Sequence, residues 1–307
     1  MTLLLLGSSS LDVVGRLDSD LQPGASNPAR IRASYGGVAR NVAENLARLG
    51  QPVKLVSVVG MDRSGDELLE YTAAAGVDVS AVLRTELYPT GFYMGVLDPR
   101  ARLRFAVDDM RVMSEFTPEL LRQHAGLFEE ASLVFVDGNL SEAALKTAFA
   151  MAKKAKVPIC ADPASAFLAT RLKSRLDRLH FITCNVKEAA ALTGHVFESS
   201  DPRAALEAAR ALLNLGADIA LVTLAEFGVV YASAETNGHI PAIQTPILDP
   251  TGAGDALTAT ILFGLVNEMD LDDAVRLGVS AASLTLRHSG AVLPGLTLEK
   301  LYEQLVI

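Results

Sequence analysis

Short runs of apolar and β-branched residues alternate along this chain with longer amphipathic segments. The runs are Leu3 to Gly7, Val53 to Val59, Leu133 to Asp137, Val157 to Ala161, Phe181 to Cys184 and Ile219 to Thr223. Between them, Val38 to Leu49, Gly65 to Ala75, Glu142 to Lys154, Asp201 to Leu215 and Gly252 to Val266 repeat apolar residues at helical spacing. Such a pattern leaves few choices. Strands that are apolar throughout must be covered on both faces, and helices that connect them supply the cover, so a parallel sheet between two helix layers is expected. Gly50, Gly76, Gly194 and Gly216 each close a helical segment. With 307 residues the chain has room for one large α/β domain carrying a small appendage.

Two stretches break the rhythm, Val13 to Ser34 and Thr90 to Asp108. Both are extended in character and punctuated by Pro23, Gly24, Pro28 and the turn Asp98-Pro99-Arg100, which predicts strands and hairpins without crossover helices. They flank Gly36-Gly37 and leave and rejoin the α/β portion, so they are expected to form a small β lid over a site. No internal repeat or low-complexity tract marks a separate linker.

Half the residues are hydrophobic and 21% are charged, a balance that argues against disorder. The net charge of -9, without clusters of Lys or Arg, argues against a nucleic-acid polymer as partner, because many backbone phosphates could not be neutralised. Met1 to Leu6 is too short and lacks the basic flank for a signal-peptide core, and no apolar stretch approaches a membrane span. The two cysteines, Cys160 and Cys184, are too few for a disulfide framework and read as small apolar filler. A cytoplasmic location is expected.

The segment DPTGAGDAL, Asp249 to Leu257, runs directly into a helical pattern. Gly252, Ala253 and Gly254 would present unpaired amides at a helix N-terminus, where the dipole favours negative charge. Asp255 would then lie in the first turn, placed to take a proton from an attacking hydroxyl while those amides stabilise a transferred phosphoryl group. On spacing alone, a plain Gly-rich turn with an acidic helix start accounts for the same residues.

DPTGAGD resembles the second signature of the ribokinase-like, or PfkB, carbohydrate kinases, and GGVARNVAENLARLG, Gly36 to Gly50, resembles the first. The order and separation of the two motifs agree, so the resemblance spans essentially the whole chain. It implies a three-layer αβα sandwich with a mainly parallel central sheet and a small β-sheet lid, and an ATP-dependent kinase using Mg2+. Carried over, it makes Asp255 the base and Gly252, Ala253 and Gly254 the anion hole, and it places Asp12, Gly36, Gly37 and Asn41 at the acceptor. Asp12 is read as lying at the end of the first strand, where open α/β sheets hold ligands. Asn185 and Glu188 resemble the Asn-x-x-Glu element that organises magnesium and phosphate, although Asn followed by Glu is also a common helix start. Thr223 and Gly228 match the turn against the nucleotide, where the family usually has Gly at the position of Ala225. Asp249, Thr251, Thr285, His288 and Gly290 match a site where many members hold a monovalent cation, so K+ activation is expected.

Within the family, several segments are similar to the pseudouridine kinase branch: Val38-Ala39-Arg40 after the double glycine, VDDMRVMSEFTPELL from Val107, DGNLSEAAL from Asp137 and ADPASAFLATRLK from Ala161. The expected reaction is transfer of the ATP γ-phosphoryl group to the 5'-hydroxyl of pseudouridine, with Asp12 and Asn41 on the ribose and Tyr93, Met94 and Phe105 walling the base. A ribokinase-type sugar kinase and a kinase for uridine, cytidine or inosine remain alternatives. So does a non-catalytic nucleotide-binding regulator, against which the intact GAGD turn speaks. A dinucleotide oxidoreductase is not supported, since GSSSLD after the first strand lacks G-x-G-x-x-G. Exposed lid edges predict a homodimer through the lid.

Overall fold

The computed structural model describes residues 1–197 and 201–305. Its strands, in chain order, are β1 (Thr2–Leu6), β2 (Ser10–Leu17), β3 (Ala29–Gly36), β4 (Val53–Val56), β5 (Val58–Gly60), β6 (Leu83–Thr85), β7 (Gly91–Leu97), β8 (Leu103–Asp109), β9 (Ala131–Asp137), β10 (Ile159–Asp162), β11 (Phe181–Asn185), β12 (Ile219–Thr223), β13 (Val229–Ser233) and β14 (Asn237–Ile240). The main sheet has eight strands in the order β14-β13-β12-β11-β10-β9-β1-β4. All of its pairings are parallel except those of β13 with β12 and β14.

The apolar runs explain why this sheet is sandwiched. Alternate residues of one strand enter two different cores: Leu4 and Leu6 of β1 and Val134 and Val136 of β9 pack on one side. Leu3, Leu5, Leu133 and Phe135 pack on the other. Each fully buried aliphatic side chain contributes about 1.5–3 kcal/mol by leaving water. Helices Val38–Arg48, Ala253–Val266 and Leu271–Leu286 cover the second side, and Glu142–Ala155, Val186–Thr193 and Pro202–Asn214 the first.

The run Val53 to Val59 is not one strand. It divides at the buried Ser57, whose carbonyl accepts the amide of Leu83, so that β5 leaves the main sheet and pairs with β6. Leu271–Leu286, which the sequence reading passed over, packs along Ala253–Val266 and fixes that helix from outside.

A separate four-stranded sheet has the order β3-β2-β7-β8. Its first strand starts earlier than the irregular stretch suggested, at Ser10 instead of Val13, whereas β7 starts at Gly91, inside the expected Thr90 to Asp108. Because paired residues share a face, one face carries the row Ser34, Asp12, Tyr93 and Asp108, and beyond it Arg32, Val14, Gly95 and Ala106. The opposite face carries Ala33, Val13, Met94 and Val107, then Ile31, Gly15, Val96 and Phe105. Among the described residues, no helix is long and apolar enough to cross a membrane.

Candidate active site

Two carboxyl-end positions of the main sheet carry acids whose environment is set by the sheet itself. Asp137 ends β9 and is wholly buried. Its Oδ2 accepts the Ser8 amide at 2.8 Å, the Ser8 hydroxyl at 2.7 Å and the Ala39 amide at 3.1 Å, and its Oδ1 accepts the Asn139 amide at 2.9 Å. Asp137 therefore clasps the exit of β1 to the start of helix Val38–Arg48. Burial still holds its carboxyl above the usual range. At the end of β10, Asp162 is pushed well up by burial and then by the negative charge of Glu188, Asp255 and Asp137.

Asn185 and Glu188 sit where β11 becomes helix Val186–Thr193. The Glu188 amide donates to Asn185 Oδ1 at 3.0 Å, and the Asn185 amide donates to Glu188 Oε2 at 2.8 Å, a reciprocal capping box. The helix-start reading of this pair is thus realised in the structure. Burial raises the Glu188 carboxyl as well. Thr223 lies beside Asn185 in the next strand, and Gly228 follows at a turn where a Cβ would come 2.1 Å from the Ile240 carbonyl. Ala225 in the same turn has φ +50°, which explains why glycine suits that position.

Helix Ala253–Val266 begins without any side-chain cap. Gly252 has φ +78°, and a Cβ there would lie 1.9 Å from the Ala291 carbonyl, so only glycine can make the turn. A Cβ on Gly254 would meet nothing within 4 Å. The first intrahelical bond is the Ala256 amide to the Gly252 carbonyl, which leaves the amides of Ala253, Gly254 and Asp255 facing open space. That cradle suits an anion.

Asp255 stands half-buried beside the cradle, and loss of water pushes its carboxyl up to about 7. Asn41 Nδ2 donates to Asp255 Oδ2 at 2.7 Å, joining motifs 214 residues apart. Asn41 is itself oriented: its amide oxygen accepts from the Arg40 guanidinium. Arg40, fully buried, also donates to the carbonyls of Gly36 at 2.7 Å and Tyr35 at 2.8 Å and pairs with Glu44. Arg40 lies within the first motif, but no role attaches to it there, because its partners become neighbours only after folding.

Asp12 corrects the sequence reading. It is not at the end of β1, which stops at Leu6, but on β2 of the small sheet, because the chain passes from β1 into that sheet instead of a helix. It still reaches the site. Asp12 is 6% exposed, and burial lifts its carboxyl to about 6 against the opposing pull of the Ser10 hydroxyl bond at 2.7 Å and the charge of Arg40. Gly36 has no side chain because a Cβ there would lie 2.0 Å from the Asp12 carboxylate, and a Cβ on Gly37 would lie 2.5 Å from the Ser8 carbonyl. Tyr93 shares the Asp12 face, whereas Met94 and Phe105 point to the opposite one and cannot wall the same pocket.

The expected monovalent-cation residues gather around Asp249. Asp249 is buried, and its oxygens are already engaged: Oδ1 accepts the Thr251 amide at 3.0 Å, and Oδ2 accepts the Gly290 amide at 3.0 Å and pairs with the Arg32 guanidinium. The Thr285 carbonyl accepts the His288 amide at 2.9 Å. With Arg32 and the two amides, three of the about four lone-pair positions of Asp249 are taken, one of them by a charge the chain itself supplies. For magnesium the fit is different. Among the described residues no three acidic, His or Cys side chains converge as a cage, but Glu188 is close enough to Asp162 for its negative charge to help raise that carboxyl. One or two carboxylates with water and phosphate are how magnesium is commonly held.

The pfkB family carbohydrate kinase pattern matches residues 2–297 of this chain. A pseudouridine kinase of Escherichia coli (strain K12) is 33% identical over 292 residues, covering 92% of this chain and 90% of that protein. A guanosine-inosine kinase of Exiguobacterium acetylicum is 27% identical, covering 91% and 92%. In three dimensions, an Arabidopsis thaliana ribokinase solved with ribose and ATP superposes with a TM-score of 0.85 at 21% identity, covering 99% of this chain and 98% of that one, a likeness of fold.

Proposed function

This chain belongs to the pfkB family of carbohydrate kinases and is a phosphotransferase with an alcohol acceptor, and from that premise we propose that the alcohol is the 5'-hydroxyl of pseudouridine. The products are pseudouridine 5'-phosphate and ADP. Full-length similarity to a pseudouridine kinase supports the choice of substrate, and the observation that carries the mechanism is Asp255 at the mouth of an uncapped helix, held by Asn41.

Magnesium bound with ATP supplies charge neutralisation for the triphosphate. In the proposed arrangement, Asp162 and Glu188 would help hold the metal, and Asn185, Thr223 and Gly228 would border the nucleotide. The amides of Ala253, Gly254 and Asp255 receive the charge that develops on the transferred group. Asp12 accepts hydrogen bonds from the ribose diol, and Tyr93 lies beside it to flank the base. Ionised Asp255 takes the proton from the attacking hydroxyl. Asn41, fixed by Arg40, keeps the receiving oxygen aimed. We assign the chain to the cytoplasm and its small sheet to a lid, on whose exposed apolar face a second copy docks to give a homodimer.

The guanosine-inosine kinase relative favours a second reading, a kinase for another nucleoside. ADP release with Mg2+ and ATP, compared for pseudouridine, uridine, cytidine, inosine, guanosine and ribose, decides. Selective turnover of pseudouridine is the expected result. Preference for another acceptor would leave the mechanism and replace the substrate.

A further inference from the structure

A buried carboxyl group stands immediately behind the anion cradle. Asp249 precedes the Gly252 turn by three residues, its side chain is 1% exposed, and a bare carboxylate there would oppose the field of the Ala253–Asp255 amides. The positive partner comes from a distant part of the chain. Arg32, on β3 of the small sheet, pairs with Asp249 Oδ2, and its Nη1 donates to Ser289 Oγ at 3.0 Å. Its side chain is only 25% exposed. The amides of Thr251 and Gly290 take two more positions around the carboxylate, so three of its about four lone-pair sites are engaged and the one charge among those partners is the guanidinium.

We infer that the Arg32 guanidinium is the cation of this site, a positioning residue that neutralises Asp249 in place of K+, so that the kinase holds nucleotide phosphate without a monovalent metal. A guanidinium is always charged, weakly hydrated and forked, which suits a buried carboxylate better than a hydrated point charge. Its location on the small sheet adds a consequence: the anion cradle is fully charged-balanced only when that sheet rests on the core. The ion pair therefore links the acceptor side of the site to the phosphate side.

The test measures binding of a non-hydrolysable ATP analogue with Mg2+ by calorimetry, in choline chloride and in KCl at equal ionic strength. It needs no acceptor alcohol, so it is decided separately from the pseudouridine reading. Wild-type protein is expected to bind equally in both salts, within about twofold, and Arg32→Ala about tenfold more weakly in choline chloride. That loss should be largely restored by KCl or by guanidinium chloride at millimolar concentration, and Arg32→Lys, which keeps the charge but not the fork, should recover only part of it. Tightening of the wild type by K+ of about fivefold or more overturns the inference, and it does so without relying on any variant. An Arg32→Ala protein that binds like wild type in choline chloride, or is weakened equally in both salts without rescue, overturns it too.

Discussion

With its carboxyl at about 7, Asp255 divides between the ionised and neutral forms at neutral pH. A base is most useful near the working pH, so the same burial that makes this carboxylate unstable makes it reactive. The acid limb of kcat/KM should therefore fall as pH drops through about 7, instead of through the ordinary carboxylate range. The sign for stability is opposite. The folded-state value lies above the unfolded one, so the contribution of this group is present at low pH and lost as pH rises through about 7. Asp255→Asn should lower turnover by about 10²- to 10⁴-fold. Its melting temperature should gain on the wild type progressively from pH 5.5 to pH 8, read by scanning calorimetry at both. Undiminished turnover would remove Asp255 from the role of base. At this scale the sequence showed the glycines and Asp255 clearly, because a tight turn before a helix leaves a local signature. Arg32 leaves none, since an arginine in a strand is ordinary until its distant partner is known, and Arg40, Asp137 and Asp162 lie in segments that carry the resemblance but show no individual role until their partners are known.

Elements hold the site through their ends. Asp137 ties the exit of β1 to the helix that carries Arg40 and Asn41, accepting the amides of Ser8, Ala39 and Asn139. Asp137→Ala leaves those donors unpaired in a buried place and is expected to cost about 3 kcal/mol, measurable by urea unfolding. Because Asn41 rides on the same helix, kcat/KM should fall with it. A loss under about 0.5 kcal/mol would mean that water replaces the carboxylate. Strand and helix positions were legible from periodicity, as Ile219–Thr223 illustrates by matching its expected span. The division of Val53 to Val59 was not, because a strand that changes sheets at Ser57 keeps the same apolar pattern on either side. Asp12 was misplaced for a related reason: nothing in GSSSLD tells whether the chain leaves β1 for a helix or for another strand.

At the scale of the whole molecule, the small sheet is asymmetric. One face carries Asp12, Tyr93 and Arg32, while the other exposes Ile31 at 72%, Val107 at 57%, Phe105 at 47% and Met94 at 39%. Contiguous apolar surface of this kind marks an interaction face, and the proposed homodimer covers it with a second copy. Sedimentation velocity at micromolar concentration should show a dimer, and Phe105→Glu with Val107→Lys should yield a folded monomer. A monomeric wild type would sink the proposal. The sheet joins the core along one line: Gly36, Ser10 and Gly91 are paired in a single row, with Asp109 paired to the next residue, Phe92. A panel attached along one line behaves as a lever with a single axle. At about 3.3 Å per residue, Asp12 lies about 7 Å and the Arg32 row about 13 Å from that axle, so a swing of about 10° moves them by about 1 Å and 2 Å. In such a swing the arginine at the far end would move about twice as far as the aspartate near the axle.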